Sequence, residues 1–521
     1  MFRRYPFISF VSIILLLSAS FYGHAKPDKS LAESQLIVTT SSGPVVGMRD
    51  GGVRVFLGIP YATPPVGELR WRPPQPVKAW SEPLQANELG SACYQPERAS
   101  EPLNMEMSED CLTLNVWSGA SGSAEKKLPV ILWIHGGGFK RGNGGLFVGK
   151  HLAEMGHVVV TFNYRLNVFG FLAHSALSAE DDAYPASGTY GLMDQQLVLN
   201  WVQENVSAFG GDPENVTLMG ESAGGISVCT HLVMPSSFGK FHRAIMQSGP
   251  CELDVPLAVG EQSGRKVAAK LGCADAEDRL SCMRSKTPEE LLSIGMSFYP
   301  VYDGIILPDA QSKLLAQGKF ARVPVLLGTN KDEHTRQTLY FGDMWDLDDA
   351  GYEAQVESTF AGTEIDAEAV MTQYPAAKYK SPGWALSTVL GEWTFSCPVR
   401  RNGRVLAKEN PIYLYRLTYE RPTYMGDVGA FHTEDLEFVF HETKRANLQL
   451  KPDEKAFSRK MMGYWSRFAK TGDPNGGDGI AWPQYTSAED QYMDFADLDS
   501  IEVKSGFLPQ CDFWDQWFTY Y

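Results

Sequence analysis

The sequence has no stretch of five or more basic residues, no internal repeat and no low-complexity linker. Acidic residues outnumber basic ones by 62 to 46, and the formal net charge is −16. A nucleic-acid partner is therefore disfavoured, because its phosphates would be repelled. The composition, 44% hydrophobic and 12% aromatic, also excludes a disordered or collagen-like chain. A globular protein with a large core is expected.

The first 25 residues have the pattern of an export signal. Two arginines open this segment, an apolar run covers residues 7–18, and small residues stand at 23–25 (GHA). The apolar run is too short to cross about 30 Å of hydrocarbon comfortably. No cysteine follows it closely enough for the usual lipid attachment. We predict a signal peptide at 1–25, a single catalytic domain at 26–521 without a stable membrane anchor, and a secreted or periplasmic protein.

Eight cysteines in an exported chain favour disulfide bonds, which persist in oxidising compartments. Their spacing allows three loops to be closed, by the pairs Cys93 with Cys111, Cys273 with Cys282, and Cys397 with Cys511. Cys229 and Cys251 are left over, and both lie in apolar segments. We expect these two residues to be buried free thiols.

Short apolar runs rich in β-branched residues alternate with segments of helical period, which is typical of parallel strands joined by crossover helices. Predicted strands cover residues 128–135, 157–163, 216–220, 244–247 and 323–328. Apolar residues at helical spacing predict a crossover helix at 194–207. The pattern indicates an α/β fold, with residues 340–382 as the stretch expected to cover a pocket.

The strongest local signal is a G-x-S-x-G motif at residues 220–224 (GESAG), placed after a predicted strand and before a helix. A sharp strand-to-helix turn forces the serine backbone into a strained conformation, and glycines on both sides tolerate the close packing. The hydroxyl is then exposed above the strand ends, beside the amides that begin the helix. Ser222 is the candidate nucleophile.

A second glycine-rich element, residues 135–139 (HGGGF), follows the predicted strand at 128–135. Its glycines let the backbone approach a substrate, so the amides of Gly137 and Gly138, with that of Ala223, can converge on an oxyanion. Loss of one such donor costs about 3 kcal/mol of transition-state stabilisation. A phosphate-binding loop is the alternative, but neither G-x-x-x-x-G-K-[ST] nor G-x-G-x-x-G is present at this turn.

A serine nucleophile needs a histidine base and a carboxylate that orients it. The chain order Ser, acid, His restricts the base to His334, His432 or His441. The acid should lie on a loop after a strand, where Asp332 and Glu333 follow residues 323–328 directly. Spacing alone does not choose among these candidates.

Several long segments resemble one family closely, the type-B carboxylesterases, which include cholinesterases and bile-salt-activated lipase. The resemblance extends over nearly the whole mature chain. It is carried by residues 56–62 (FLGIPYA) with the following PPVGELRW, 108–116 (SEDCLTLNV), 163–165 (NYR), 209–225 (FGGDPENVTLMGESAGG), 247–249 (QSG), 326–333 (LLGTNKDE) and 472–475 (GDPN).

The resemblance implies an α/β-hydrolase fold, a large mostly parallel central sheet with helices on both faces and helical insertions. It also implies a carboxylic ester hydrolase with an acyl-enzyme intermediate and without a metal or other cofactor. It assigns Ser222 as nucleophile, Glu333 as acid and His432 as base, and it supports Gly137, Gly138 and Ala223 as the oxyanion hole. It implies the same three disulfide pairs, and it implies buried structural ion pairs of Arg70 with Glu109 and of Arg165 with Asp194.

Two departures bear on the substrate. The family usually has Gly after the catalytic Glu, whereas this chain has His334, which we interpret as a tolerated surface side chain. The segment between Cys93 and Cys111 contains no Trp. The aromatic platform that holds a quaternary ammonium is therefore not evident, and choline esters are not favoured.

A binding protein on the same fold is the rival interpretation, because adhesion proteins of this family have lost the nucleophile. Every triad position in this chain carries a competent residue, which favours an enzyme acting on a small-molecule ester. Lipase, thioesterase, amidase and acyltransferase activities stay open, since fold and triad do not fix the leaving group.

Overall fold

The computed structural model describes residues 36–96, 105–119, 126–444 and 449–518. The signal peptide predicted at residues 1–25 lies outside the described residues. A mixed sheet of 11 strands forms the centre of the described chain. In chain order its strands are β1 (Met48–Asp50), β2 (Val53–Pro60), β3 (Thr113–Ser118), β4 (Leu128–Ile134), β5 (Val158–Phe162), β6 (Gly211–Glu221), β7 (Arg243–Gln247), β8 (Val325–Asn330), β9 (Ile412–Leu417), β10 (Gln491–Phe495) and β11 (Ile501–Ser505).

The strands lie side by side in the order β11-β10-β9-β8-β7-β6-β4-β5-β3-β2-β1. The seven neighbouring strands from β5 to β10 in this order pair in parallel. The pairs outside them are antiparallel, with β11 at one edge and β3, β2 and β1 at the other. The carboxyl ends of the parallel strands therefore share one edge of the sheet, and the loops that follow them meet there.

Both faces of the central sheet are covered, and β4 shows this directly. Val130, Leu132 and Ile134 belong to one apolar cluster, whereas Ile131 and Trp133 belong to another. Side chains alternate between the faces of a strand, so a strand that is apolar throughout must be packed on both sides. This explains why the central strands are continuous apolar runs.

Helices supply the two covering layers. The α-helices are α1 (Lys150–Glu154), α2 (Asn167–Phe171), α3 (Ser175–Ser178), α4 (Tyr190–Asn205), α5 (Ala223–Val233), α6 (Leu257–Lys270), α7 (Arg279–Arg284), α8 (Pro288–Leu292), α9 (Gln311–Ala316), α10 (Asp349–Phe360), α11 (Ala367–Gln373), α12 (Pro382–Gly391), α13 (Cys397–Leu406), α14 (Asp435–Phe440), α15 (Pro452–Thr471) and α16 (Cys511–Asp515). Two π-helical turns lie between these helices. Arg336–Phe341 comes between α9 and α10, and Glu392–Ser396 links α12 to α13. Within the described ranges, no helix combines the length and apolarity needed to cross a bilayer.

The two faces are covered by different helices. Val198 of α4, Ile226 of α5 and Val399 of α13 join the cluster on one face. Trp465 and Phe468 of α15 join the cluster on the other face. The helix α5, which follows the predicted nucleophile, is therefore packed between the sheet and the outer helices.

The predicted α/β class is confirmed, and the predicted strands at 128–135, 157–163, 216–220, 244–247 and 323–328 correspond to β4 to β8. β6 begins five residues earlier than predicted, at Gly211, and β8 is shifted to Val325–Asn330. The helix predicted at 194–207 is α4, which begins at Tyr190 and ends at Asn205.

Four disulfides are present among the described residues. Three join Cys93 with Cys111, Cys273 with Cys282, and Cys397 with Cys511, the pairs that the resemblance implies. The fourth joins Cys229 with Cys251, so our prediction of two free thiols was wrong. Cys229 lies in α5 and Cys251 follows β7. Since β6 and β7 are parallel neighbours, the segments after them meet at the sheet edge, a proximity that the spacing of the two cysteines did not reveal.

The two ion pairs implied by the resemblance are both present. Arg70 contacts Glu109, and Arg165 forms a fork with Asp194 in which the N···O distances are 2.7 and 2.8 Å. The backbone amide of Arg165 donates to the same Asp194 carboxylate at 3.0 Å. Both side chains of this second pair are fully buried, so the fork fixes the segment after β5 against α4.

We expect Asp194→Ala to lower the free energy of unfolding by about 3–5 kcal/mol, because it leaves the Arg165 guanidinium buried without its counterion. Urea denaturation followed by tryptophan fluorescence measures the change. Asp427→Ala is the matched control, since its carboxylate contacts Lys380 at the surface with 61% of its side chain exposed. The control should lose no more than about 1 kcal/mol. Equal losses for the two variants would contradict the assigned role of the fork.

Candidate active site

Ser222 lies at the sharp turn between β6 and α5. Its φ is +55°, a conformation that non-glycine residues rarely adopt. A Cβ on Gly224 would lie 2.0 Å from the Ile134 carbonyl oxygen, so only glycine fits at that position. The Ser222 amide donates to the Gln247 carbonyl at 2.8 Å, which fixes the turn against β7.

The glycine-rich segment after β4 lies against this turn. A Cβ on Gly136 would be 3.1 Å from the Ser222 Cβ. Gly137 has a φ of +111°, and a Cβ there would lie 2.1 Å from the Arg141 carbonyl oxygen, while Gly138 has a φ of +65°. No described residue accepts a hydrogen bond from the backbone amides of Gly137, Gly138 or Ala223. All three residues line the same cavity as Ser222.

His432 and Glu333 are in direct contact, although 99 residues separate them in sequence. The Nδ1 atom of His432 lies 2.6 Å from Oε2 of Glu333, and both side chains are buried. The other carboxylate oxygen of Glu333, Oε1, accepts hydrogen bonds from the Ser248 hydroxyl at 2.6 Å and from the Asn330 amide at 2.7 Å. The carboxylate therefore has a fixed orientation toward the imidazole.

The charges around His432 favour its protonated form. Burial by itself lowers the pKa of His432, but the carboxylates of Glu221 and Glu333, with a smaller effect from Asp435, outweigh it and raise the pKa above its usual 6.5. Nε2 of His432 lies 3.2 Å from Oε1 of Glu221, the residue that precedes the predicted nucleophile. The Phe395 ring covers one face of the imidazole, with ring centroids 4.5 Å apart.

The other candidates for base and acid have different partners. Asp332 accepts from the Ala430 amide at 3.0 Å, and burial raises its pKa to about 6. His441 ends α14 and contacts the Ser458 hydroxyl at 2.9 Å. Among the candidate bases and acids in the described chain, only His432 and Glu333 contact each other.

His334 is half-buried in the pocket wall, where we expected a tolerated surface side chain. The residue lines the pocket beside Ser222, and its Nδ1 contacts the Thr338 hydroxyl at 2.9 Å. Burial, with a smaller effect from the charge of His432, lowers the pKa of His334 to about 4. It is therefore a neutral imidazole at physiological pH.

A cavity with a volume of about 760 Å³ opens above Ser222. Its wall includes six aromatic residues, Phe147, Tyr299, Phe341, Trp393, Phe395 and Phe518. The stretch at 340–382, which was expected to cover the pocket, is fully described and contributes only Phe341. Sequence reasoning missed the other aromatic residues because they come from four separate segments without a shared motif. Within the described ranges, no three His, Cys, Asp or Glu side chains are grouped so that they could hold a metal ion.

A family model described as "Carboxylesterase family" matches residues 34–514, which is nearly the whole chain. The chain belongs to the carboxylesterase family. It is 34% identical to a cholinesterase of Mus musculus, with 98% of this chain and 90% of that protein covered. It is also 34% identical to an acetylcholinesterase of Electrophorus electricus, with 93% and 88% covered. As a member of this family, the protein is a serine carboxylic ester hydrolase.

With His432 as the proposed base, the carboxylates around it predict the pH dependence of this carboxylesterase. A base acts in its neutral form, so activity falls as the pH drops through its pKa. Because the pKa of His432 is raised, the acid limb of kcat/KM should have its midpoint above pH 6.5. Glu221→Gln keeps the side-chain shape and removes one charge, so the midpoint should move to lower pH. The measurement is kcat/KM for an uncharged ester at a series of pH values from about 5 to 9, because histidine side chains titrate within this range.

Glu252→Gln is the control for this experiment. It removes another carboxylate of the pocket wall, but Glu252 is held by Arg401 through two contacts of 2.9 and 3.0 Å and is not among the main causes of the shift of the His432 pKa. Its acid limb should coincide with that of the unmodified enzyme. A Glu221→Gln profile that does not move, or that moves to higher pH, would contradict the inference that Glu221 raises the pKa of His432.

Proposed function

We propose that this enzyme hydrolyses neutral carboxylic esters with long or bulky apolar groups, through a triad of Ser222, His432 and Glu333. The observation that carries the proposal is the 2.6 Å contact between His432 Nδ1 and Glu333 Oε2 at the wall of a cavity that Ser222 also lines. Nδ1 of His432 is thus committed to the acid, and Nε2, which lies 3.2 Å from Oε1 of Glu221, is the ring nitrogen proposed to take the proton of the nucleophile.

In the proposed reaction His432 takes the proton of the Ser222 hydroxyl through Nε2, and the Ser222 oxygen attacks the ester carbonyl. The amides of Gly137, Gly138 and Ala223 donate to the oxyanion that forms. Collapse of the tetrahedral intermediate breaks the bond to the alcohol, which leaves with the proton from His432. Water then attacks the acyl-enzyme in the same manner and releases the acid.

Glu333 acts through His432. Its carboxylate accepts from Nδ1, which sets the tautomer of the imidazole and stabilises the imidazolium that forms when the proton is taken. The hydrogen bonds from the Ser248 hydroxyl and the Asn330 amide hold the second carboxylate oxygen, so the carboxylate stays aligned with the imidazole.

Ser222→Ala should fold as the unmodified protein does, and its kcat for p-nitrophenyl butanoate should fall by a factor on the order of a millionfold. The reason is that the variant retains the oxyanion donors but has no nucleophile. A fluorophosphonate probe should label the unmodified enzyme at Ser222, identified by peptide mass spectrometry. Ser236→Ala, at an exposed serine after α5, is the control and should keep both labelling and activity. Undiminished hydrolysis by Ser222→Ala would overturn the assignment of the nucleophile. A parent protein that neither hydrolyses the ester nor reacts with the probe would support the rival interpretation of a binding protein.

The size and lining of the cavity support the proposed substrate class. A volume of about 760 Å³ accommodates a drug-sized molecule, and the six aromatic residues supply apolar contact. The acidic Glu252 in the wall is paired with Arg401. The two relatives are called cholinesterases, but this sequence has no Trp between Cys93 and Cys111 that would hold a quaternary ammonium. We therefore propose neutral esters.

The kcat/KM for p-nitrophenyl esters should rise from acetate to octanoate, by up to about fourfold for each added methylene that is buried. A stopped assay across the acyl series measures the slope. The control compares butyrylcholine with its uncharged isostere, 3,3-dimethylbutyl butanoate, and the two should react at similar rates. A falling series, or a strong preference for the choline ester, would contradict the proposed class.

We also propose that residues 1–25 direct export of the chain and that residues 26–521 form one catalytic domain that is secreted or periplasmic. Four disulfides support an oxidising compartment, where such bonds persist.

A further inference from the structure

The disulfide between Cys229 and Cys251 joins two segments of the active site. Cys229 lies in α5, the helix that begins directly after Ser222, and Cys251 lies in the loop after β7. We define loop 248–253 as residues 248 to 253. Both cysteines are fully buried. The crosslink is therefore protected from solvent, and neither cysteine lines the cavity.

Loop 248–253 packs on α5 with no intervening space. A Cβ on Gly249 would lie 2.4 Å from the Cα of Gly225, and a Cβ on Gly225 would lie 2.9 Å from the Cα of Gly249. The two backbones can approach this closely because both residues are glycine. The loop and the helix that follows the nucleophile thus form one packed unit, which the disulfide closes.

Ser248, the first residue of the loop, contacts the catalytic acid. Its hydroxyl donates to Oε1 of Glu333 at 2.6 Å, and its amide donates to the Gly328 carbonyl at 2.8 Å. Ser248 has a φ of +47°, which is a strained conformation for a residue other than glycine. Such a conformation persists only when its surroundings enforce it, and the residues that follow Ser248 are part of those surroundings, together with the bond of its amide to Gly328.

The rest of loop 248–253 is held at the pocket wall. The Cys251 amide donates to Oδ1 of Asn402 at 2.9 Å, and Glu252 is paired with Arg401, so α13 supports the loop from one side. Pro250, Glu252 and Leu253 line the cavity. The disulfide supplies the covalent support on the other side, at α5.

We propose that the Cys229–Cys251 disulfide is a positioning crosslink that keeps the Ser248 hydroxyl on the carboxylate of Glu333. It acts through Ser248, and it does not touch the reacting atoms. The inference rests on the proposed function, because it assumes that Glu333 orients His432. It explains why a chain with three other disulfides carries a fourth one inside the active-site scaffold.

The test is a double-mutant cycle with three variants, Cys229→Ala/Cys251→Ala, Ser248→Ala and the combination of all three substitutions. The disulfide variant and Ser248→Ala should each lower kcat for p-nitrophenyl acetate by about tenfold, the loss expected when a hydrogen bond to a carboxylate is removed. The combined variant should be no slower than Ser248→Ala alone, because both changes remove the same contact. The KM for this small ester should change less than kcat.

Cys273→Ala/Cys282→Ala is the matched control, because it removes another disulfide that does not line the pocket. It should leave kcat unchanged, both in the parent enzyme and in the Ser248→Ala variant. Circular dichroism and the melting temperature of each variant establish that it is folded. If the Ala pair does not fold, Cys229→Val/Cys251→Ala fills the vacated volume and enters the same cycle.

The proposal is overturned if the disulfide variant keeps the kcat of the parent, or if its loss of kcat adds in full to that of Ser248→Ala. Either result would mean that the bond serves stability alone. Failure of the proposed function would look different, because the parent enzyme itself would then resist labelling at Ser222 by the fluorophosphonate probe.

Discussion

The hydrogen bond between Glu333 and His432 is the contact on which the proposed catalytic arrangement depends. It joins the loop after β8 to the loop that precedes α14, and an isolated bridge between Asp332 and Phe431 aligns the two loops beside it. Both oxygens of the Glu333 carboxylate are engaged, one by His432 and one by Ser248 and the Asn330 amide. A buried carboxylate with each oxygen occupied has a fixed direction, and its hydrogen bond holds the His432 imidazole in one orientation.

Strain at the ends of two adjacent strands gives the site its second constraint. Ser222 after β6 and Ser248 after β7 both have positive φ, and the amide of Ser222 is bonded to the carbonyl of Gln247 between them. Each strained residue costs on the order of 1–3 kcal/mol, which the surrounding sheet must offset. The parallel strands, covered on both faces, provide a scaffold rigid enough to hold both conformations. The Cys229–Cys251 bond lies at the junction of the same two segments.

The parts of the site that sequence could predict are those contained in short segments. The GESAG motif and the HGGGF segment each follow a strand, so backbone geometry and chemistry could be inferred from a few neighbouring residues. The choice of His432 over His441, and of Glu333 over Asp332, did not follow from spacing. It needed the family resemblance, because Asp332 and Glu333 are neighbours on one loop and no local pattern shows which histidine lies beside that loop. The free thiols predicted at Cys229 and Cys251 were wrong for a related reason, since the spacing of residues along the chain does not show which strands are neighbours.

The sequence by itself determined the α/β class, the five strands β4 to β8 of the central sheet, the strained turn at Ser222 and the glycine-rich segment after β4, because apolar period and glycine placement act locally. Tertiary structure alone decided the partner of Cys251, the placement of His334 in the pocket wall, the contact of Ser248 with Glu333 and the aromatic lining from five segments. The physical reason is that these features depend on strand order and on the shared edge of parallel strands. Residues far apart in the chain meet there, and no local preference records the encounter.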